Sequence, residues 1–315
     1  MWPMRYWVAG LIVAGLAGSV GIAAGQDQRP TFRASVQRVA IAATVRTRQG
    51  KSVTTLTQDD FQLVDSGAPK RIVDFRTDDS PITVGLLVDF SGSMGVSEKR
   101  AAARANAFHL TSWLRAGKDE AGLFVFDKGL REVQPIAPAP GDILAQLDRV
   151  DRPFGATSLF DAIAETGRIL SERGGARRAV VALTDGADNA SRLSPAEVSK
   201  LASGIDVPVY IVVVVSPLDR AGQTVVNEEQ LAASLEGPLA QLARFTGGEI
   251  FAGIGPAQSS AAARQITTEL RQQYLIALEP DGQPGWHPIA LRTKDKDLVV
   301  RARSGYVVRG VPAGN

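Results

Sequence analysis

The chain contains no cysteine and only two histidines, His109 and His287, among its 315 residues. Without cysteine there is no disulfide bond, no thiolate metal ligand and no cysteine nucleophile. Two histidines are too few for the nitrogen-rich sites that zinc prefers. A disulfide-bonded scaffold is therefore excluded, and a zinc centre is not expected.

The chain also lacks a large excess of charge of either sign, because 35 Lys and Arg residues are balanced by 33 Asp and Glu residues. No block of Lys and Arg with interleaved aromatic residues is present, so nucleic acid is not an expected partner. No glycine-rich phosphate-binding motif follows a strand pattern, so we expect no nucleotide either. The hydrophobic fraction of 44% is typical of a globular protein.

The N-terminal segment has the composition of a targeting signal. Arg5 is the only charged side chain before Asp27, and residues 6–25 are apolar or small. Small residues at positions 23–25 suit signal peptidase, so we predict a signal peptide over 1–25, cleavage after Gly25, and a secreted or periplasmic protein. The alternative is an uncleaved membrane anchor, since about 20 apolar residues can span a bilayer.

The middle of the chain alternates between continuous apolar runs and helical patterns. Such runs suit parallel strands that are buried on both faces, and the alternation predicts a doubly wound α/β domain over 81–255. The predicted strands are 83–88, 121–126, 179–183 and 207–215. The predicted helices cover about 97–114, 142–150, 158–173, 194–202 and 238–245.

Two β-rich flanks enclose this domain, one over 26–80 and one over 256–315, the second beginning with a helix near 259–273. Neither flank is large enough to hold a core alone. We therefore expect both flanks to pair into one small antiparallel β subdomain, with the α/β domain inserted between them. The polar stretch 216–230 is predicted to be a long surface loop.

Oxygen-bearing side chains follow three of the predicted elements. The first apolar run ends in DFSGSMG, with Asp89, Ser91 and Ser93. Thr157 lies in GATSLFDA before a helix, and Asp185 lies in LTDGADN directly after a buried strand. Each segment alone is compatible with a turn or a helix cap, and Ser158 with Asp161 resembles a capping box. Because ligands bind beyond the carboxyl ends of parallel strands, the three together predict a site for a hard cation.

These three segments, in this order, resemble the metal-ion-dependent adhesion site of a von Willebrand factor type A domain, over about residues 81–255. The flanks are similar to those of the von Willebrand factor type A-related proteins first recognised in acidobacteria. The similar segments are LTQDDFQLVDSGAPKRI before the domain and LRQQYLIALEP after it. The resemblance implies that one divalent cation is held by Asp89, Ser91, Ser93, Thr157 and Asp185.

The chemistry of these residues agrees with that implication. Mg²⁺ takes near-octahedral oxygen ligands at about 2.0–2.1 Å and keeps several waters. Mn²⁺ would also suit hydroxyl and carboxylate oxygens, and Ca²⁺ would fit less well. An incompletely saturated ion retains a position for a Glu or Asp carboxylate of a protein partner. We therefore expect a non-enzymatic, metal-dependent protein-binding module.

Two alternatives belong to other functional classes. The chain is alternatively a structural or assembly component whose β flanks make the functional contacts. A metal-dependent hydrolase is the third hypothesis, because a bound metal ion can activate water. Asp127, after the second predicted strand, is the only candidate base near the site.

Overall fold

The computed structural model describes residues 38–77, 79–96, 98–139, 141–151, 153–175, 177–215, 236–253 and 255–308. The predicted signal peptide and the predicted loop 216–230 lie outside these residues. Within the described ranges, no helix has the length and apolar character needed to cross a membrane.

The described strands and helices follow the predicted alternation. In chain order the strands are β1 Val39–Thr47, β2 Phe61–Asp65, β3 Ala68–Lys70, β4 Asp74–Arg76, β5 Thr83–Asp89, β6 Glu120–Phe126, β7 Leu130–Pro138, β8 Arg178–Thr184, β9 Val209–Val214, β10 Ile250–Gly253, β11 Tyr274–Leu278, β12 Gly285–Thr293, β13 Leu298–Ala302 and β14 Gly305–Val308. The helices are α1 Lys99–Ser112, α2 Ile143–Asp148, α3 Leu159–Ser171, α4 Pro195–Gly204, α5 Pro238–Thr246 and α6 Pro256–Arg271.

A six-stranded sheet with the order β10-β9-β8-β5-β6-β7 forms the centre of the molecule. Its strands pair in parallel, except that β7 runs antiparallel to β6 at one edge. Every residue of β5 is buried, as its continuous apolar sequence predicts for a strand covered on both faces. The predicted α/β architecture is confirmed.

Helices cover both faces of the central sheet. Apolar side chains of α1, α2 and α6 pack in one core cluster, and those of α3, α4 and α5 pack in the other. The apolar face of α1 is buried against the sheet, as expected for an amphipathic helix, because Ala103, Ala107 and Leu110 are each no more than 2% exposed. At the start of α4, Ser194 accepts a hydrogen bond from the backbone N–H of Glu197, and Pro195 occupies the first turn.

The two flanks form a pair of four-stranded antiparallel sheets, with the orders β13-β1-β11-β4 and β14-β12-β2-β3. Both sheets combine strands of the two flanks, since β1 pairs with β11 and β13, and β2 pairs with β12. One apolar cluster joins the sheets, and in it the rings of Phe61 and Tyr274 meet edge to face at 5.1 Å. The predicted β subdomain built from both flanks is confirmed.

Candidate metal centre

The candidate site lies at the point where the strand order of the central sheet reverses. Strand β5 lies between β8 and β6, and the chain leaves β5 toward β6 before returning to β8 on the other side. Asp89 is the last residue of β5, and Asp185 directly follows β8. Both carboxylates therefore belong to the sheet edge at which open α/β folds bind ligands.

Asp89 is 1% exposed, and both of its carboxylate oxygens accept hydrogen bonds. Oδ1 accepts from the backbone N–H of Ser91 at 2.8 Å, and Oδ2 accepts from the hydroxyl of Thr184 at 2.7 Å. Burial raises the pKa of Asp89 to about 6, although the hydrogen bonds from Ser91 and Thr184 oppose the shift. The nearby charge of Asp185 raises this pKa further, so the two carboxylates repel each other.

Ser91 and Ser93 occupy a short 3₁₀ turn, Gly92–Gly95, and its start. Ser91 is fully buried, and its Oγ lies 3.1 Å from the Oγ of Ser93. The serine of this turn does not cap α1: the residue before α1 is Glu98, at φ 59°, and no side chain caps the helix there. Ser97, the other candidate cap, lies outside the described residues. The two hydroxyls therefore lie close to each other and neither of them caps α1.

Hydrogen bonds to the segment that follows Asp185 hold Thr157 in place. Its N–H donates to Oδ1 of Asn189 at 2.8 Å, and its C=O accepts from the N–H groups of Asn189 and Ala190, each at 3.0 Å. The residue is 2% exposed. A threonine hydroxyl in this position offers a neutral oxygen that suits a hard metal ion.

Backbone hydrogen bonds join the loop of Thr157 to the loop of the two serines. The N–H of Gly92 donates to the C=O of Gly155 at 2.9 Å, and the N–H of Phe154 donates to the C=O of Phe90 at 2.9 Å. Gly155 has φ 96°, a conformation that favours glycine. The loops that carry the candidate ligands are therefore tied to one another.

The capping box suggested by Ser158 and Asp161 does not form, because Ser158 makes no side-chain cap bond to α3. Ser191 caps this helix instead, and its Oγ accepts from the N–H groups of Phe160 and Asp161 at 3.0 and 3.2 Å. The carboxylate of Asp161 accepts from the N–H groups of residues 192 and 193. That alternative interpretation of the Thr157 segment is therefore wrong.

Asp185 forms an ion pair that the sequence did not reveal. Its Oδ2 lies 3.0 Å from Nζ of Lys99, the first residue of α1, and the two side chains are 9% and 11% exposed. Its Oδ1 accepts from the N–H of Ala187 at 3.3 Å. The partners are 86 residues apart in the chain, and a lysine near a helix start carries no motif signal.

Two carboxylates and three hydroxyls form a donor set suited to Mg²⁺ or Mn²⁺ and poorly suited to zinc. Within the described ranges, no three His, Asp or Glu side chains come together in a way that could hold a metal. An ion at this edge would therefore depend on the hydroxyls of Ser91, Ser93 and Thr157 as much as on Asp89 and Asp185.

Asp127, the candidate base of the hydrolase hypothesis, also lies at this sheet edge, after β6. Its Oδ1 accepts from the N–H of Gly129 at 3.1 Å, and its C=O accepts from the N–H of Ser158. These contacts are those of a turn at a strand end, and nothing in them marks the carboxylate as a base.

Three solved structures have similar folds. A von Willebrand factor type A protein from Catenulispora acidiphila is 15% identical, with 89% of this chain and 75% of that chain covered and a TM-score of 0.47. An aerotolerance-related membrane protein from Bacteroides fragilis is 19% identical, with 60% of this chain and 98% of that chain covered and a TM-score of 0.46, and the PilB minor pilin from Streptococcus sanguinis is 14% identical, with 62% of each chain covered and a TM-score of 0.46. No curated protein matches the chain. Residues 84–187 match the sequence model of the von Willebrand factor type A domain, and this range contains all the candidate ligands.

Proposed function

We propose that the protein is a non-enzymatic binding module that holds a divalent cation, Mg²⁺ or Mn²⁺, and through it binds a protein partner. Asp89, Ser91, Ser93, Thr157 and Asp185 are the proposed ligands, directly or through water. The ion keeps a coordination position that a Glu or Asp carboxylate of the partner fills. The bound ion supplies electrostatic attraction for that carboxylate.

The observation that carries this proposal is the association of two buried, mutually repelling carboxylates with hydroxyl groups at the switch point of the sheet. Burial, together with a smaller contribution from the charge of Asp185, raises the pKa of Asp89, so negative charge is costly in this pocket. A divalent cation would remove that cost. Because the set contains only two carboxylates, it does not saturate the ion's affinity for anionic oxygen.

Exposed apolar side chains near the candidate ligands support a protein partner. Phe154, three residues before Thr157, is 83% exposed, and Val96, three residues after Ser93, is 56% exposed. Large apolar groups at the surface beside a polar site are typical of protein-binding surfaces. We propose that the partner's acidic residue is flanked by apolar residues that contact Phe154.

Export of the protein is part of the same proposal and rests on the sequence of residues 1–25. N-terminal sequencing of protein recovered outside the cytoplasm should find a start at Gln26. A start at Met1 in the membrane fraction would favour the uncleaved anchor instead.

The metal proposal is tested by titrating the purified protein with Mg²⁺ while following thermal unfolding. Ions that bind only the folded state stabilise it by about 2.7 kcal/mol at a hundredfold excess over the dissociation constant. Wild type should show this concentration-dependent rise in Tm, and Asp89→Asn should lose it. Asp127→Asn, a carboxylate at the same edge outside the ligand set, is the matched control and should respond as wild type does. An equal response of all three proteins contradicts the proposal.

Partner binding separates this function from the two alternatives. Partners that EDTA releases and that Asp89→Asn fails to bind support the metal-dependent module. Partners that bind in EDTA and are lost only when the β subdomain is altered favour the structural component. Turnover that disappears in Asp127→Asn would favour the hydrolase.

A further inference from the structure

Lys99 is a buried cation at the proposed metal centre. Its side chain is 11% exposed, and its Nζ lies 3.0 Å from Oδ2 of Asp185. Lysine side chains are rarely this buried unless they are paired with an acid. Asp185 is the only ion-pair partner of Lys99 among the described residues. The ammonium group is thus directed at one of the two carboxylates that would hold the metal.

The position of Lys99 in α1 does not explain its burial. It is the first residue of the helix, where the aligned peptide dipoles favour negative rather than positive charge. Burial of the ammonium adds a desolvation cost. Contact with Asp185 is the interaction that offsets both costs, so the ion pair belongs to the pocket rather than to the helix.

Without metal, the ammonium group of Lys99 reduces the repulsion between the carboxylates of Asp89 and Asp185. Among the described residues, Lys99 is the only positively charged side chain that forms an ion pair with either carboxylate. A metal ion that enters must share Asp185 with an ammonium group of like charge. Lys99 therefore stabilises the metal-free protein and weakens its affinity for the ion.

With metal, the same ammonium changes the charge that a ligand meets. Two carboxylates neutralise one divalent cation, but Lys99 offsets the charge of Asp185. The loaded centre then keeps an excess positive charge, which favours an incoming anionic group. Metal affinity is reduced, and attraction for a carboxylate ligand is increased.

We propose that Lys99 is a built-in counter-ion of the metal centre, which weakens binding of the divalent cation and strengthens binding of a carboxylate to the loaded centre. This inference rests on the proposed metal-binding function. Lys99 is a positioning residue in this role, because it acts through Asp185 and the local charge.

The first test measures the dissociation constant of Mn²⁺ by electron paramagnetic resonance for wild type, Lys99→Met and Lys99→Arg. Removing a like charge should tighten Mn²⁺ binding by about tenfold in Lys99→Met. Lys99→Arg keeps the charge and should stay close to wild type. Lys128→Met removes an exposed lysine at the same sheet edge and serves as the matched control, with no expected change.

The melting temperature and the binding of acetate provide two further tests of the role of Lys99. In EDTA, Lys99→Met should melt below wild type, since it leaves Asp185 buried without a counter-charge, and saturating Mn²⁺ should narrow or reverse that difference. Acetate, used as a simple carboxylate, should displace Mn²⁺-bound water less effectively in Lys99→Met, by several-fold in water-proton relaxation. If Lys99→Met does not fold, Lys99→Gln takes its place.

The outcomes distinguish this inference from the function on which it rests. If wild type binds no Mn²⁺, the proposed function fails and the inference fails with it. If wild type binds Mn²⁺ and Asp89→Asn does not, the proposed function stands. In that case an unchanged Mn²⁺ affinity in Lys99→Met overturns the inference alone, as does unchanged acetate binding.

Discussion

The hydroxyl of Thr184 donates a hydrogen bond to Oδ2 of Asp89, with 2.7 Å between the oxygens, and joins the ends of β8 and β5. The same hydroxyl accepts from the N–H of Gly186 at 3.0 Å, and Thr184 is fully buried. Thr184 therefore fixes the carboxylate of Asp89 and begins the turn that carries Asp185. Neither role makes it a metal ligand.

Replacing Thr184 by valine should destabilise the protein by about 1–3 kcal/mol, because buried polar groups lose their partner. The Mg²⁺-dependent rise in Tm should also shrink, since Asp89 is no longer fixed. Urea denaturation with and without Mg²⁺ measures both effects. Thr44→Val is the matched control: this hydroxyl is buried without a hydrogen-bond partner among the described residues, so its removal should cost nothing. Equal effects of the two substitutions would contradict the role of Thr184.

Replacing Asn189 by alanine should weaken the metal response through Thr157. The substitution removes the acceptor for the N–H of Thr157 and should cost about 1 kcal/mol of stability. Asn106→Ala is the control, because it removes a bond of similar length, to the C=O of Ala102 within α1. Both variants should melt below wild type in EDTA, but only Asn189→Ala should show a reduced response to Mg²⁺.

Acid should destabilise the protein through Asp119, which is fully buried. Burial favours a raised pKa, but hydrogen bonds from Arg115 and Arg271 outweigh it and hold the pKa of this carboxyl below its ordinary value. Ionised Asp119 therefore stabilises the fold above the ordinary carboxyl pKa of about 4, and this contribution is lost as the pH falls through its folded-state pKa.

Asp119→Asn should lower the free energy of unfolding by about 3 kcal/mol at neutral pH, since it removes the buried carboxylate that pairs with both Arg115 and Arg271. It should also flatten the pH dependence of stability below about pH 4. Asp148→Asn, whose carboxylate is 48% exposed beside Arg104, should change both quantities far less. Urea denaturation from pH 3 to 7 checks the comparison, and a parallel pH profile of wild type and Asp119→Asn would contradict it.

A buried charge network joins the β subdomain to the α/β domain. Glu269 of α6 is 2% exposed and pairs with Arg46 of β1 and Arg301 of β13, and Glu249 pairs with the same arginines at 2.8 and 2.6 Å. Glu269→Gln should cost about 3 kcal/mol, because it leaves buried positive charge in excess. Glu172→Gln, exposed beside Arg168, should cost little. Equal melting temperatures of wild type and Glu269→Gln would show that the network does not contribute to the stability of the fold.

The parts of the fold that the sequence predicted are those with strong local patterns. Each long apolar run became a buried strand, and the stripe of Ala103, Ala107 and Leu110 became the buried face of α1. Strands β7, β10 and β14 were not predicted. The first contains Pro135 and Pro138 and runs antiparallel at an edge, and the other two are four residues long, so their pairing depends on neighbours distant in the chain.

Asp89, Ser91, Ser93 and Asp185 were predictable because they lie at or just after strand ends, and strand ends of a parallel sheet meet at one edge. Thr157, which precedes α3, was added by the resemblance of its segment to the known motif. Their role as ligands stays a prediction. The residues that hold them were not predictable, since Thr184, Asn189 and Lys99 act through contacts between segments far apart in sequence. Such contacts depend on tertiary packing, which no local pattern encodes.

Crystals grown with Mn²⁺ and measured near the manganese absorption edge would show directly whether a cation binds here. We predict an anomalous peak surrounded by the hydroxyl oxygens of Ser91, Ser93 and Thr157, with Asp89 and Asp185 contributing oxygens directly or through water. A carboxylate from a neighbouring molecule or the solution should occupy the open position. No peak at these hydroxyls at saturating Mn²⁺, or a peak held by other residues, would contradict the proposed metal centre.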